Sequence, residues 1–418
     1  MSVSADSAAR RRPRLRQLLG PGLITGASDD DPSGIATYSQ AGAQFGYGLL
    51  WTLVLTYPLM VAIQEISARL GHVTGQGIAG NLRRHYPQVL ARALVALLAL
   101  ANIVNLGADI GAMGAAVRLL VGGPALLYIA LFALLSVLLE VFTTYARYAA
   151  FLKWLCLSLL SYVICVFVVQ VSWLDVGRAI VRPQLSAQRD YLMAVVAVFG
   201  TTISPYLFFW QAQQEVEERE AHRDRAPQGS RAEFTRIRLD TVIGMALSNI
   251  IALCIVITAG ATLHRHGVAT IESAAQAAEA LRAVAGRFAF AVFALGIIGT
   301  GMLTVPVLAG SAAYAVGELL SWPVGLNRRP GGAKAFYAAV AAATLLGGAL
   351  NFSPINPIRA LYWSAVLNGI VAVPVMLAMM HLSHRRAAQL PRRLAILGWA
   401  ATAGMALAVV AFAVSAVH

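Results

Sequence analysis

Apolar runs long enough to cross a lipid bilayer as helices recur along almost the whole chain of 418 residues. Only 12% of the residues are charged, about half of what a soluble domain carries. Backbone groups in lipid must bond within their own segment, so each run is predicted to be a helix. We therefore predict an all-α polytopic membrane protein with about 11 transmembrane helices, near residues 18–44, 48–68, 89–117, 124–145, 149–171, 190–215, 237–263, 286–318, 335–350, 356–382 and 394–416.

Basic residues give the chain a net charge of +13, and they cluster in the short links between the predicted spans. Cytoplasmic links of membrane proteins carry such an excess of Lys and Arg, so the charge does not indicate nucleic-acid binding. With the basic segment 1–17 in the cytoplasm, outer links hold only eight of the 32 basic residues, namely Arg118, Arg178, Arg182, Arg189, Arg265, Arg282, Arg287 and Arg359. We predict a multi-pass protein of the inner (plasma) membrane, surrounded by the lipid bilayer, with a cytoplasmic N-terminus, an external C-terminus and a monomeric functional unit.

Two of the predicted spans are interrupted by a proline in matching positions. The first span contains "DDDPSG" around Pro32, and the sixth contains "GTTISPY" around Pro205. Spans one to five (18–171) and six to ten (190–382) then form two repeats, followed by an eleventh helix and the C-terminus (394–418). Five is an odd number, so the second repeat enters the membrane inverted. Paired broken helices of this kind mark a transporter's binding site near the middle of the membrane.

The chemistry of the two breaks favours a cation. Proline removes a backbone donor, and carbonyl groups near the break lose their helical partners. Such carbonyls survive at membrane depth only in a protein interior or a wet cavity, where they can act as ligands for hard cations. Asp31 adds a carboxylate, which at mid-span needs a partner such as a metal ion. The alternative is a plain proline kink, with Asp31 protonated and hydrogen-bonded to another helix.

The first span, read through Gly20, Pro21, Gly22, Asp31, Pro32 and Gln40 to Trp51, resembles the first helix of the Nramp family of divalent metal transporters. The stretch "IQEISARLGHVTGQGIA" is similar to the family's second-helix signature. The resemblance implies a leucine-transporter-type inverted 5+5 repeat with discontinuous helices 1 and 6. Carried onto this chain, it implies a metal site formed by Asp31, Gly34, Thr201, Ser204, Tyr206 and Asn368.

The chain departs from the family pattern at several site positions. The family's Asp-Pro-Gly-Asn motif is here Asp31-Pro32-Ser33-Gly34, and its Met-Pro-His motif is Ser204-Pro205-Tyr206. The family's usual acidic pair on the third helix is represented by Asp109 alone. Similar departures occur in the Nramp-related magnesium transporters, so the resemblance extends to that branch.

These departures favour hard cations. A thioether ligand suits late transition metals, and its loss leaves a site of oxygen ligands. Small residues at positions 34 and 204 predict a wider cavity, which suits Mg²⁺ because this ion keeps several of its waters. We expect uptake of Mg²⁺, and also Mn²⁺, by alternating access without obligatory proton coupling. The transported ion is substrate, and no cofactor is expected.

Three other functions compete with this hypothesis: a proton-coupled Mn²⁺/Fe²⁺ importer, a carrier of an organic substrate such as an amino acid, and a membrane receptor without transport. Motifs typical of enzymes, such as a phosphate-binding glycine loop or a His-Glu-x-x-His pair, are not found in the sequence. Several acids stay without an assigned role. Asp29 and Asp30 either face an inward vestibule or cap the break, and Glu65 and Glu140 are gates, ion-pair members or lipid-facing residues.

Overall fold

The computed structural model describes residues 21–143, 159–221, 230–281, 286–326, 328–354, 356–385 and 390–416. The predicted basic segment 1–17 and the first half of the fifth span lie outside these ranges. Every regular element within them is a helix. In chain order the α-helices are α1 (Pro21–Asp29), α2 (Pro32–Phe45), α3 (Leu50–Thr74), α4 (Ile78–His85), α5 (Gln88–Val121), α6 (Ala125–Phe142), α7 (Leu160–Val168), α8 (Trp173–Val181), α9 (Arg189–Thr202), α10 (Pro205–Ala221), α11 (Arg231–Ala261), α12 (Ala274–Glu279), α13 (Ala289–Leu320), α14 (Lys334–Leu350), α15 (Pro357–Arg385) and α16 (Arg392–Ser415).

The all-α polytopic architecture is confirmed. Within the described ranges, eight helical segments are long and apolar enough to cross a membrane, or nine when α7 and α8 count as one span bent by 116°. The first predicted span is not among these segments, and its two helices, α1 and α2, have nine and 14 residues. The ninth predicted span, 335–350, is also not among these segments, because its helix α14 has only 17 residues. The number eleven therefore stays a prediction, although a helix lies at each predicted span.

The first span is broken where the sequence predicts it. Helix α1 ends at Asp29, and α2 begins at Pro32. Proline is favoured at the first position of a helix, because its missing N–H would have no helical partner there. Asp31 adopts an extended conformation and caps α2 by accepting a hydrogen bond from the backbone N–H of Gly34. The proline and the aspartate thus end one helix and start the next.

The sixth span is broken for two residues. Helix α9 ends at Thr202, Ile203 has φ −120° and ψ 63°, and α10 begins at Pro205. Pro205 disfavours helical geometry at the residue before it, which accounts for the position of the break. The prediction of two discontinuous helices is therefore confirmed.

Helix α1 is anchored tightly to α11. The carboxylate of Asp240 accepts hydrogen bonds from the backbone N–H groups of Gly22 (2.6 Å) and Leu23 (3.1 Å). These N–H groups lie in the first turn of α1, where they have no partner within the helix. A Cβ atom at Gly26 would lie 2.2 Å from the carbonyl oxygen of Gly244, so the two backbones touch at glycine. This contact holds the first half of the broken helix against the seventh span.

Candidate metal site at the helix breaks

Asp31 lies at the centre of the first break and is only 2% exposed. Its Oδ1 accepts hydrogen bonds from the Gly34 backbone N–H at 2.6 Å and from the Ser33 hydroxyl at 2.8 Å. Its Oδ2 accepts from the Asn105 side-chain amide at 3.1 Å. The carboxylate is therefore held in one orientation by its own helix start and by α5.

Tyr206 joins the two breaks. Its hydroxyl donates to the backbone carbonyl of Ser28 at 3.1 Å and lies 3.5 Å from Asp31 Oδ2. The hydroxyl of Thr304, on α13, also donates to the Ser28 carbonyl, at 3.1 Å. A carbonyl near the end of α1, one of those expected to act as cation ligands, is thus bonded to two hydroxyl groups here.

Gly34 and Thr201 bring the first and sixth spans into contact. A Cβ atom at Gly34 would lie 3.2 Å from Thr201 Oγ1, 3.3 Å from the Asp29 carbonyl oxygen and 3.3 Å from Asp31 Oδ1. Three oxygens therefore surround one small volume. These oxygens occupy the space beside Gly34 in this structure, and the wider cavity expected from the small residues at positions 34 and 204 stays a prediction.

Ser204 and Asn368 lie near the second break, but neither is among the described hydrogen-bond partners of Asp31. The Ser204 hydroxyl bonds to carbonyls of its own helix, at Gly200 (2.7 Å) and Thr201 (3.1 Å). Asn368 is buried, and no described residue accepts a hydrogen bond from its side-chain Nδ2. Its neighbour in sequence Gly369 packs against Gly200, which places this part of α15 beside the end of α9.

Asn105 is a residue of the site that was not predicted from the sequence. Asn102, Asn105 and Asp109 are spaced by three and four positions, so they lie on one face of α5. Asn102 donates to the Leu308 carbonyl at 3.0 Å, and Asn105 donates to Asp31. A stripe of amides in an apolar helix was the available signal.

Asp109 continues this stripe toward the break. It is fully buried and interacts electrostatically with Asp31 and the Ser33 backbone N–H. Within the described part of the chain, no well-aligned donor reaches either carboxylate oxygen. Asp109 therefore belongs to the surroundings of Asp31, where two ionised carboxylates would repel each other.

Asp29 and Asp30 contact the seventh span instead of a vestibule. The hydroxyl of Ser248, on α11, donates to Asp29 and lies 3.2 Å from Asp30 Oδ1. Both carboxylates are buried, so the interpretation as residues of a solvent-filled vestibule is wrong for this arrangement. Asp31 caps α2, whereas these two residues connect the break to α11.

Neither Glu65 nor Glu140 is a lipid-facing residue. Glu65 forms a buried ion pair with Arg69, with 2.7 Å between the closest charged atoms. The Arg69 guanidinium also stacks over Phe234, 4.4 Å from its ring centre. Glu140 is buried and accepts a hydrogen bond from Thr344 on α14 at 3.2 Å. Glu140 therefore connects α6 to α14, whereas Glu65 pairs within α3 with the arginine that contacts α11.

The donor atoms near Asp31 are oxygens and amides, with one sulfur nearby. The Met113 thioether lies 2.7 Å from the position of a Cβ atom at Gly301, which in turn is 3.2 Å from Pro32 Cγ. Across the described ranges, no three His, Cys, Asp or Glu side chains converge in a way that could hold a metal ion. A cation at Asp31 would therefore depend on one carboxylate together with hydroxyl, carbonyl and amide groups.

A family model covers almost the whole of this arrangement. The model described as natural resistance-associated macrophage protein-like, Nramp, matches residues 22–415. The chain belongs to the Nramp family. The match spans both breaks and all of α1 to α16 except for Pro21, so the resemblance seen in the first two helices extends to the rest of this Nramp protein.

Curated relatives and solved structures agree with this assignment. The Nramp protein is 29% identical over 317 residues to the divalent metal cation transporter MntH of Yersinia enterocolitica, covering 72% of this chain and 73% of the relative. It is 28% identical over 298 residues to MntH of Erwinia tasmaniensis, covering 69% of each chain.

Among solved structures, the Eremococcus coleocola manganese transporter in complex with an aromatic bis-isothiourea substituted compound is similar with a TM-score of 0.68. The sequences are 18% identical, and the similarity covers 96% of this chain and 86% of the transporter. The inward-facing structure of Mhp1 matches with a TM-score of 0.53 and 14% identity, over 95% of this chain and 91% of Mhp1. The leucine-transporter-type fold is thereby confirmed.

Proposed function

We propose that this Nramp protein transports divalent metal cations across the plasma membrane by alternating access, with Asp31 as the central ligand. The observation that carries this proposal is the position of Asp31 in the first break, where side chains of the third and sixth spans meet its carboxylate. A buried carboxylate at that depth requires a compensating charge or donors. The two MntH relatives, named divalent metal cation transporters, support the same substrate class.

For the preferred ion we propose Mg²⁺, with Mn²⁺ also accepted. The groups around Asp31 are hydroxyls, amides and backbone carbonyls, which suit Mg²⁺ better than soft metals. Mg²⁺ releases its waters reluctantly, so the oxygens packed beside Gly34 must separate before a partly hydrated ion enters. Binding then requires an opening of the contact between α2 and α9.

A proton-coupled Mn²⁺/Fe²⁺ importer is the second candidate, and Met113 favours it. Its sulfur and the Cγ atom of Pro32 both lie close to the Cβ position of Gly301, so a thioether is present near the break although Ser204 occupies the sixth-span position. Buried Asp109 would then be the natural proton carrier. In the first candidate the membrane potential is sufficient as a driving force, since it supplies about 4.6 kcal/mol per 100 mV for a divalent ion.

The distribution of basic residues supports one orientation of the chain in the membrane. We place the N-terminus in the cytoplasm and the C-terminus outside, because this topology leaves only eight of 32 basic residues on outer links. We further propose that the monomer is the functional unit and that the chain is a carrier with no enzymatic activity.

Competition for uptake in proteoliposomes tests the proposal. Mn²⁺ entry should be inhibited by Mg²⁺ at comparable concentrations, and Asp31→Ala should abolish entry of both ions. Asp175→Asn, which changes an exposed aspartate of α8, is the control and should leave uptake intact. Normal flux in Asp31→Ala would refute the site, and Mn²⁺ uptake indifferent to Mg²⁺ would favour the transition-metal importer.

A further inference from the structure

A cavity of about 760 Å³ lies between α8 and the turn that joins α2 to α3, at the predicted outer side of the protein. Its volume is in the range of pockets that hold small organic ligands. The lining combines apolar and basic side chains, among them Phe45, Leu174, Arg178, Val181 and Arg182. A ligand that matches this lining has to present an apolar part and a negatively charged part side by side.

Helix α8 runs across the outer end of the fifth span. It is bent by 116° relative to α7, which is more than a right angle, so it does not continue that span. The end of α7 exposes three apolar side chains, those of Ile164, Phe167 and Val168. In a membrane protein such a surface faces lipid, which places α8 at the boundary between the acyl chains and the water.

Two faces of α8 meet different environments. Val176 is buried against the rest of the protein. On another face, Leu174, Arg178, Val181 and Arg182 follow each other at helical spacing, and all four side chains are exposed. Exposed leucine and valine side chains are unfavourable in water, whereas acyl chains accept them and the neighbouring arginines reach the headgroups. This face therefore matches the two parts of a lipid molecule.

The opposite wall of the cavity is held in place by aromatic contacts. Phe45, at the end of α2, packs edge-to-face on Tyr191, with 5.6 Å between ring centres. The Tyr191 hydroxyl accepts a hydrogen bond from the Trp51 indole at 3.1 Å. The apolar surface that Phe45 presents is therefore formed before a ligand binds, which reduces the entropy lost on binding.

Arginines are unusual at this position. In the predicted topology, outer links hold only eight of the 32 Lys and Arg residues, and two of these eight line this one cavity. Asp175 also lines it, 3.6 Å from Arg178, but both side chains are more than half exposed and such a pair contributes little. Arg182 has no ion-pair partner among the described residues. The cavity thus keeps a positive charge that an anion can neutralise.

We propose that the cavity binds one anionic phospholipid of the surrounding bilayer. Its phosphate lies between Arg178 and Arg182, and one acyl chain runs along Leu174 and Val181 toward Phe45. Guanidinium groups bind phosphate oxygens through two parallel hydrogen bonds, which an ammonium group cannot do. A zwitterionic lipid fits less well, because it brings its own cationic group close to the arginines. Binding at this site does not depend on which ion the protein transports.

Native mass spectrometry of the purified full chain, delipidated in a nonionic detergent, tests the proposal. Phosphatidylglycerol should give a first bound lipid at concentrations about fivefold lower than phosphatidylcholine. Arg182→Gln should weaken the binding of this first lipid by about fivefold, because one basic residue near an anionic lipid surface contributes about that factor. Arg182→Lys should lose less, since it keeps the charge and loses only the paired hydrogen bonds.

Arg189→Gln is the matched control, since it removes the same charge from an exposed arginine at the start of α9 that does not line the cavity. It should leave the first lipid unchanged, whereas Val181→Glu, which adds a carboxylate to the exposed face of α8, should expel it. Equal binding of the two lipids, or equal losses in Arg182→Gln and Arg189→Gln, would overturn the proposal. Binding of inorganic phosphate that is lost in Arg182→Gln, with no preference between lipids, would also overturn it and make the cavity a site for small anions.

Discussion

The Asn105 amide donates a hydrogen bond to Asp31 Oδ2 across 3.1 Å, which ties the third span to the break in the first. Asn105→Leu should therefore weaken transport by about tenfold, because a group that orients a metal ligand typically contributes that much to metal affinity. Initial uptake rates of Mg²⁺ in proteoliposomes measure the effect. Asn102→Leu is the control, since Asn102 bonds the Leu308 carbonyl instead. Equal losses in the two variants would show that Asn105 has only a structural role.

Tyr206→Phe removes the hydroxyl that joins the two broken helices. The Ser28 carbonyl keeps its bond from Thr304, so the folded protein should lose only about 1 kcal/mol of stability. Affinity for the transported ion should change more strongly, because the hydroxyl also approaches Asp31. Calorimetric titration with Mg²⁺, beside a thermal unfolding curve, separates the two effects. An unchanged affinity would make Tyr206 a packing residue.

Ser204→Met restores a thioether to the sixth span and should shift the preference from Mg²⁺ toward Mn²⁺ or Cd²⁺. The matched variant is Met113→Leu, which removes the sulfur beside Gly301 and should leave the preference unaltered if that sulfur only packs. Competition between ions for uptake measures both. Should Met113→Leu alone abolish Mn²⁺ uptake, the metal would be bound by that thioether, and the preference for Mg²⁺ would be wrong.

Asp109→Asn tests proton coupling. Asp109 is buried beside Asp31, and no well-aligned donor in the described ranges stabilises its negative charge. Because a buried charge without a partner is unfavourable, Asp109 is a candidate to bind a proton. Under the proposed function, metal entry does not acidify the liposome lumen, and Asp109→Asn keeps substantial uptake. A fluorescent pH indicator inside the liposomes provides the measurement. Stoichiometric acidification that disappears in Asp109→Asn would establish the proton-coupled alternative.

Gly26→Ala should prevent α1 from packing on α11, because the added Cβ would meet the Gly244 carbonyl at 2.2 Å. Overpacking against side chains costs about 1–3 kcal/mol of folding stability. The opposing atoms here belong to the backbone of Gly244, which can move less than a side chain, so the cost should be at least as large. The midpoint of thermal unfolding in detergent should fall clearly. Gly404→Ala is the control, since nothing lies within 4 Å of the added atom. Equal stability of the two variants would contradict the close contact.

Several parts of the site could be read from the sequence because they depend on neighbouring residues. Pro32 and Pro205 end and begin helices through their own ring geometry, and Asp31 caps the helix that follows it. The Ser204 hydroxyl also bonds locally, to carbonyls of its own helix three and four residues earlier. The roles of Asn105 and Ser248 were not predicted, since their partners Asp31, Asp29 and Asp30 lie on other spans.

The sequence by itself determined the membrane class of this protein, the positions of its two broken helices and the presence of a carboxylate in the first, because hydrophobic length and proline geometry act over a few residues. Only the tertiary structure decided which groups surround that carboxylate. Asn105 is 74 residues from Asp31 in the chain and Tyr206 is 175, and helix packing alone brings them together. The same packing filled the space beside Gly34, since the volume at a site depends on how closely neighbouring helices approach and not on the size of one residue.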